Sequence, residues 1–257
     1  MALTCINITV LYPEADACTL HDVSLEVMPG SVIGIVGASG CGKSTLLRVL
    51  AGALDAQAGS VEVDGVALGT NPTADELRAH RKTVALVQQR PELQFFATNV
   101  FDEVAFGPRI LGLDEAEVAR RVTTSLASVG LDPAAVCDTS PFAHSGGEQR
   151  RIAIADMLAL ETPYLLLDEP TAGLDSHARQ LLLEHLVQLA RNGRGIVIAT
   201  HDSRVLDVCD EVFRLTDGSL LPQGSEDAEA ASINTVVAQP MDAGRVQAAP
   251  KAVSFGI

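Results

Sequence analysis

The stretch Gly37-Ala38-Ser39-Gly40-Cys41-Gly42-Lys43-Ser44-Thr45 decides the fold. The apolar, β-branched run Ser31–Val36 lies directly before it, and apolar residues at helical spacing follow from Ser44 to Leu54. A strand, a glycine-rich loop and a helix in that order are the context in which G-x-x-x-x-G-K-[ST] forms a phosphate-binding loop. The sequence therefore predicts a nucleoside-triphosphate site in an α/β domain.

The residue types of this loop suit the chemistry. Glycines let the backbone curl so that successive N–H groups point at phosphate oxygens. Lys43 can reach the β- and γ-phosphates, and the Ser44 hydroxyl can ligate Mg²⁺. All residues from Gly37 to Thr45 are therefore predicted to contact the nucleotide, although the loop alone leaves kinase, GTPase and ATPase chemistry open. At position 41 the loop requires only a small side chain, and Cys41 provides one. A further hypothesis is that alkylation of its thiol blocks nucleotide binding.

A second candidate element is the run Tyr164-Leu165-Leu166-Leu167-Asp168-Glu169. Its apolar part is typical of a strand buried on both faces of a parallel sheet. Ligand sites of α/β folds lie at the carboxyl ends of such strands, where Asp168 suits the magnesium shell and Glu169 suits polarising an attacking water. A helix N-cap would account for one of these acids but not for both, so hydrolysis as well as binding is predicted.

The third element is His144-Ser145-Gly146-Gly147-Glu148-Gln149-Arg150-Arg151, which precedes that strand and opens an apparent helix. A Ser-Gly-Gly turn at a helix N-terminus is an anion-binding device, or else an ordinary loop with a serine cap. In this order and spacing the segment resembles the LSGGQ signature of the ATP-binding-cassette ATPases. The resemblance covers roughly residues 3–221 and implies ATP and Mg²⁺ as cofactors.

Further roles follow from the resemblance alone. Tyr12 looks like the aromatic that stacks on adenine, and Gln89 is similar to the Q-loop glutamine, which ligates magnesium and senses a membrane partner. The segment Ala172-Gly173-Leu174-Asp175 resembles the D-loop, and His201 looks like the switch histidine that contacts the γ-phosphate.

The signature departs from the family pattern at two positions. His144 stands where Leu is usual and Glu148 replaces Gln, whereas Ser145 and the Gly147 amide, the groups expected to touch phosphate, are intact. The resemblance thus implies catalytic roles for Lys43, Gln89, Glu169 and His201, metal ligation by Ser44, Gln89 and Asp168, and nucleotide contacts from Tyr12, Ser145, Gly146, Gly147, Glu148 and Asp175 in addition to the phosphate loop.

Three short segments point to a subfamily. Gln94-Phe95-Phe96-Ala97-Thr98, the run from Asp102 to Pro108, and residues 138–142 look like the corresponding regions of energy-coupling-factor and cobalt-type importer ATPases. The alternative is a generic loop of a helical insert. The resemblance implies a second cassette subunit, in a homodimer or heterodimer, whose Ser145–Gly147 segment closes over the ATP. It also implies a transmembrane coupling protein gripped beside residues 94–108, and a substrate-binding membrane component, in the uptake of a transition-metal cation or a vitamin.

The expected fold class is an α/β P-loop NTPase with a RecA-like core sheet and flanking helices, a small N-terminal β subdomain and an inserted helical signature subdomain. The ATPase domain is expected over 1–222, with the core at 1–89 and 156–222, a helical insert at about 90–155, and a flexible tail or a short dimer-contacting segment at 223–257. Strands are predicted at 3–12, Val23–Val27, Ser31–Val36, Ser60–Val66, Lys82–Val87, Tyr164–Leu167, Gly195–Thr200 and Glu211–Leu215, and a helix at His177–Ala190.

Composition limits the alternatives. The 257 residues are 47% hydrophobic, enough for a sizeable core, and the net charge of −15 argues against nucleic acid as a partner and against docking onto anionic lipid. Five scattered cysteines without a CxxC spacing favour a reducing cytoplasm. No apolar run is long enough to insert into a membrane, so a peripheral location at the cytoplasmic face of the cell membrane is expected.

Three other functions remain open at this point. The chain could be a soluble cassette ATPase of DNA repair or translation, or the ATPase of another importer class. It could also be a regulatory subunit that binds ATP without turnover, although the presence of both Glu169 and His201 argues against that.

Overall fold

The computed structural model describes residues 2–12, 19–69, 71–90 and 94–223. The tail predicted over 223–257 lies outside the described residues except for Gln223, so its role stays a prediction. The strands of the described part are β1 (Leu3–Val10), β2 (Leu20–Val27), β3 (Val32–Val36), β4 (Ala58–Val63), β5 (Val66–Leu68), β6 (Val84–Val87), β7 (Tyr164–Asp168), β8 (Gly195–Ala199), β9 (Glu211–Thr216) and β10 (Ser219–Pro222). Its helices are α1 (Lys43–Leu50), α2 (Ala74–Arg81), α3 (Val100–Ile110), α4 (Glu115–Ser128), α5 (Pro133–Val136), α6 (Gly146–Ala159), α7 (Ser176–Arg191) and α8 (Ser203–Leu206).

The glycine-rich loop leaves the middle of a six-stranded sheet with the order β10-β9-β3-β8-β7-β6. All neighbouring strands run parallel except β10, which pairs antiparallel with β9. Every residue of β3, β7 and β8 is buried, as expected for central strands that are covered on both faces. The carboxyl ends of these three neighbours meet at one edge of the sheet, where ligands bind in α/β folds.

A second, antiparallel sheet with the order β2-β1-β4-β5 is formed by the N-terminal part of the chain. The α1 residues Leu46, Leu47 and Leu50 are fully buried in one cluster with Leu25 of β2 and Ile35 of β3. The helix that follows the glycine-rich loop is therefore fixed by apolar contacts to both sheets, which is the α/β arrangement that the sequence predicts.

One predicted strand is wrong, because the alternating run Ser60–Val66 belongs to two strands. β4 ends at Val63 and β5 begins at Val66, and between them φ is 53° at Asp64 and 80° at Gly65. Asp and Gly adopt this left-handed conformation more readily than other residues, so an Asp-Gly pair indicates a hairpin turn rather than a continuous strand.

Sequence patterns also missed α2, α8 and β10, and the first strand, predicted over 3–12, ends at Val10. The start of α2 carries a capping box in which the Glu76 N–H donates to the Thr73 hydroxyl and the Glu76 carboxylate accepts from the Thr73 N–H. This Thr-x-x-Glu pattern was available in the sequence as a helix-start signal.

Helices α3 to α6 occupy the predicted helical insert and pack on a second apolar cluster. Val104 of α3, Leu126 of α4 and Ile154 of α6 are fully buried together with Leu167 of β7. The expected end of the insert at residue 155 falls inside α6, which continues without a break to Ala159. The helix that opens with the signature segment therefore runs directly into the core.

Candidate functional site

The phosphate loop joins the end of β3 to the start of α1. Gly40 and Gly42 have φ of 80° and 107°, and a Cβ on Gly37 would lie 2.4 Å from the Leu215 carbonyl oxygen. Other residues would be strained at these positions, so the glycines are required by the backbone path. Helix α1 carries no acidic residue in its first turn, which leaves the positive N-terminal end of the helix available to an anion.

The Lys43 side chain lies across this loop. Its ammonium group is largely buried and donates to the carbonyl oxygens of Gly37 at 2.8 Å and Ala38 at 3.0 Å. Tyr12, the predicted adenine contact, lies at the other side of the α1 start, with its hydroxyl 3.4 Å from the Thr45 hydroxyl. The structure thus brings Tyr12 and the phosphate loop together, as binding of one nucleotide by both requires.

The three predicted metal ligands share one cavity. Ser44, Gln89 and Asp168 all line a space of about 300 Å³ at the carboxyl edge of the sheet. Burial raises the pKa of the Asp168 carboxyl, and the Ser44 hydroxyl opposes that shift by hydrogen bonding to the carboxylate. A hydroxyl, an amide and one carboxylate are hard oxygen ligands of the kind that hold Mg²⁺ together with substrate phosphates, so these residues fit that ion.

Glu169 is oriented by two neighbours. The Thr200 hydroxyl donates to Oε2 at 3.2 Å, His201 Nδ1 lies 2.7 Å from Oε1, and the Glu169 N–H donates to the Ala199 carbonyl at 2.8 Å. The residue adopts a φ of 49°, which is uncommon outside glycine. Thr200 was not singled out from the sequence, although a polar residue ending a buried strand is a detectable signal.

The signature segment forms a cap at the start of α6. The Glu148 carboxylate accepts hydrogen bonds from the Ser145 N–H at 3.0 Å and the Ser145 hydroxyl at 2.8 Å, and these bonds lower the pKa of Glu148. His144, at the position where Leu is usual, pairs with the Thr139 hydroxyl at 2.7 Å. Both departures from the family pattern therefore have local partners, and the one at Glu148 completes a capping box that stabilises the helix start.

Ser145 and Gly146 are exposed, and no signature residue lines the cavity that Ser44, Gln89 and Asp168 share. Asp175, the last residue of the predicted D-loop, is also exposed and caps α7 by accepting from the Ala178 N–H at 2.8 Å. The structure of one chain therefore gathers the phosphate loop, Gln89, Asp168, Glu169 and His201 at one edge of the sheet, and leaves the signature facing solvent.

Two exposed aromatic side chains follow Gln89 along the chain, one just before α3 and one within it. Phe96 is 60% exposed and Phe106 is 47% exposed, and their rings meet edge to face with centroids 4.7 Å apart. The buried Glu103 carboxylate accepts from the N–H groups of Phe96 at 3.0 Å and Ala97 at 2.7 Å. Phe96, held before α3, and Phe106 of α3 thus present an apolar surface together, and such a surface is a candidate interaction site.

Comparison with known proteins places these features in a family. The family model described as ABC transporter matches residues 20–172, more than half of the chain. A second model, described as an AAA domain, putative AbiEii toxin, Type IV TA system, matches the shorter segment 138–207.

Among relatives, the energy-coupling factor transporter ATP-binding protein EcfA2 of Symbiobacterium thermophilum is 46% identical over 77% of this chain and 68% of its own length. EcfA2 of Streptococcus pneumoniae is 38% identical over 87% of this chain and 81% of its own length. Both alignments include most of the relative, so the similarity is not limited to a motif.

Solved structures agree with these relatives. A dimeric structure of MJ0796, a bacterial ABC transporter cassette, has a TM-score of 0.78 at 28% identity and covers 85% of this chain and 96% of that one. The same cassette in a post-hydrolysis state bound to ADP and Pi matches with a TM-score of 0.78 at 27% identity, covering the same shares. The structure of cbiO1 from Clostridium perfringens, part of the ABC transporter complex cbiONQ, has a TM-score of 0.73 at 30% identity over 85% of this chain and 86% of that one.

Proposed function

The chain belongs to the ABC transporter family and is an ATP-binding, ATP-hydrolysing cassette, and from that premise we propose that it drives a membrane importer of the energy-coupling-factor type. The cargo is a micronutrient, either a transition-metal cation or a vitamin. The names of the EcfA2 and cbiO1 relatives support this importer class, and the cassette works at the cytoplasmic face of the membrane without entering it. No helix in the described part of the chain is long and apolar enough to cross a bilayer.

The exposed aromatic pair of Phe96 and Phe106 is the observation that carries the proposal. Phe96 and Phe106 expose an apolar surface, and Gln94, two positions before Phe96, lines the metal-ligand cavity. Aromatic anchors of this kind dominate binding energy at protein interfaces, and an amphipathic helix can lay its apolar side onto them. A short cytoplasmic helix of a transmembrane coupling protein is the occupant that links this surface to transport, and a separate membrane component binds the cargo.

The nucleotide site requires a second cassette. Within one chain, Ser145 and Gly146 face solvent at the positive N-terminal end of α6, which is suited to a γ-phosphate but lies outside the chain's own cavity. Two cassettes, identical or different, pair head to tail, so that each signature closes over the ATP of its partner. Because only the closed pair makes both sets of contacts, ATP shifts the population toward it and hydrolysis releases it.

Different residues of the chain have different roles in ATP hydrolysis. Lys43 and the loop amides hold the β- and γ-phosphates, while Ser44, Gln89 and Asp168 hold Mg²⁺, which neutralises phosphate charge when it is bound. Glu169 accepts a proton from the attacking water. His201 contacts Glu169 through Nδ1, which leaves Nε2 to contact a phosphate oxygen.

Reconstitution tests this function. The full chain is combined in proteoliposomes with the membrane proteins encoded beside it, and uptake of labelled metal cations and vitamins is followed with ATP inside or outside. We expect uptake of one micronutrient that needs ATP on the cassette side and is lost in Glu169→Gln. A chain that instead associates with nucleic acid or ribosomes, and whose ATPase ignores every membrane partner, would favour the soluble alternative. Activity with an importer of another class would contradict the energy-coupling-factor assignment.

A further inference from the structure

Arg150, in the first turns of α6, joins three of the motifs described above. Its Nη1 donates to the carbonyl oxygen of Ala172 at 2.6 Å, and its Nη2 donates to the carbonyl oxygen of Gln89. One guanidinium group therefore ties the signature helix to the backbone of the segment around Gln89 and to that of the predicted D-loop.

The surroundings of this arginine are unusual for a structural one. Among the described residues its buried Nε has no hydrogen-bond partner and no carboxylate forms an ion pair with it, although its positive charge opposes the rise in the pKa of the Asp168 carboxyl. Burying part of a guanidinium against neutral carbonyls carries an unfavourable desolvation term that a solvent-facing arginine avoids. The next residue, Arg151, provides a contrast because it donates to the Val129 and Gly130 carbonyls, which belong to neither loop.

The contact between Arg150 and Ala172 is linked through the backbone to Glu169, the proposed general base. The Ala172 N–H donates to the Glu169 carbonyl at 3.2 Å, so the residue whose carbonyl Arg150 holds also closes a turn that begins at Glu169. Arg179 of α7 holds the other side of this segment by donating to the Leu174 carbonyl at 3.2 Å. The path of the chain after Glu169 is thus fixed between two guanidinium groups, one from α6 and one from α7.

We propose that Arg150 is a positioning residue that sets the backbones of Gln89 and Ala172 relative to α6, so that the metal ligand and the general base are placed by the same helix. This inference rests on the roles proposed above for Gln89 and Glu169. A guanidinium group suits the task because its planar fork donates in two directions at once, which an ammonium group on a single stem does not reproduce. A displacement of the signature helix is consequently passed to both loops together.

The test compares Arg150→Met, Arg150→Lys and Arg151→Met in the full chain. Steady-state ATPase is measured against Mg²⁺ at saturating ATP and against MgATP at saturating Mg²⁺, with melting temperatures for each variant. For Arg150→Met we expect kcat to fall roughly tenfold or more, as for loss of a charge-assisted hydrogen bond, with KM for MgATP within about twofold. The Mg²⁺ concentration for half-maximal activity should rise. Arg150→Lys should recover part of kcat, because it can reach one of the two carbonyls.

Arg151→Met should lower the melting temperature without moving the Mg²⁺ dependence. An Arg150→Met variant with the wild-type kcat per folded protein and the wild-type Mg²⁺ dependence would overturn the proposal, as would an equal effect of Arg151→Met. If Arg150→Met does not fold, an unshifted Mg²⁺ dependence in Arg150→Lys decides against it. Failure here leaves the importer assignment standing, because that assignment is tested by uptake with membrane partners and not by the isolated ATPase.

Discussion

His201 Nδ1 lies 2.7 Å from Glu169 Oε1, and the two side chains differ sharply in exposure. The imidazole is 76% exposed, whereas the carboxylate is only 10% exposed. The pair therefore connects a buried carboxylate, held on its other oxygen by Thr200, to the open side of the site. Orientation of a base by two donors before substrate arrives reduces the reorganisation needed for proton transfer.

Replacing Glu169 by Gln is expected to lower ATP hydrolysis roughly 10²- to 10⁴-fold, because the amide cannot accept the proton of the attacking water. ATP binding should persist, since the phosphate loop is unchanged, so the variant should accumulate as an ATP-bound dimer. Size-exclusion chromatography with and without ATP measures this, and Glu184→Gln on the exposed side of α7 is the control. A Glu169→Gln variant that stays monomeric with saturating ATP would contradict head-to-tail pairing.

Replacing Lys43 by Ala is expected to weaken ATP binding roughly 100-fold, because it removes charge-assisted hydrogen bonds to the β- and γ-phosphates. The ammonium group already lies between the Gly37 and Ala38 carbonyls, so little ordering accompanies binding. Equilibrium binding of a fluorescent ATP analogue measures the effect. Lys82→Ala, at the exposed end of α2, should bind as the wild type does, and undiminished binding by Lys43→Ala would rule out this role.

The sequence predicted the central strands and the phosphate loop because their signals are local. A run of buried residues such as Tyr164–Asp168, or glycines required by φ near 80° and 107° at Gly40 and Gly42, depends on a few adjacent positions. Elements such as β10 could not be found in this way, since its four residues are only partly buried or exposed and its pairing with β9 follows a tight turn.

The long-range contacts of the site could not be predicted from the sequence either. The pairing of Arg150 with Gln89 and Ala172 joins positions far apart in sequence, and no periodicity encodes it. Thr200 stands out in the sequence as a polar residue that ends a buried strand, but its partner Glu169 becomes apparent only when β7 and β8 lie side by side. The roles of Gln89 and His201 are predicted from the resemblance to a family. The contacts that orient Gln89 and Glu169, in contrast, are seen only in the structure.

Replacing Phe96 by Ser is expected to weaken binding to the membrane partner roughly tenfold or more, because it removes an aromatic anchor from the exposed surface. Basal ATPase of the isolated chain should stay unchanged, since Phe96 does not line the cavity at Ser44 and Asp168. Binding to detergent-solubilised partner complex is measured by surface plasmon resonance. Val66→Ser, which removes a 74% exposed apolar side chain from the other sheet, is the matched control. Equal effects of the two changes would exclude the surface of Phe96 and Phe106 as the docking site.

Alkylation of Cys41 is expected to abolish ATP binding by steric exclusion. Its sulfur lies 4.0 Å from Lys43 Nζ, so an adduct on the thiol occupies the space beside the ammonium group. The Cys41→Ser variant should bind ATP and retain activity after treatment with N-ethylmaleimide, and ATP should protect the wild type. Mass spectrometry identifies the labelled cysteine. Loss of activity in treated Cys41→Ser, equal to that of treated wild type, would assign the effect to another thiol.

Asp156 is expected to make the stability of the protein fall as pH rises toward neutrality. Burial, together with the nearby negative charge of Glu103, raises the pKa of its carboxyl from 3.8 to about 7. The folded state therefore holds a proton that the unfolded chain loses above pH 4, so the stabilisation is complete below pH 4 and is lost as pH approaches 7. Asp156→Asn keeps a neutral side chain at every pH, and at pH 8 it should raise the free energy of unfolding by on the order of 4 kcal/mol and the melting temperature by roughly 10 °C. The gain should shrink steadily between pH 7 and pH 4 in thermal melts monitored by circular dichroism.

The control is Asp55→Asn, at an exposed position, which should show no such trend. A gain for Asp156→Asn that is independent of pH would mean that the Asp156 carboxyl is ionised in the folded protein throughout this range.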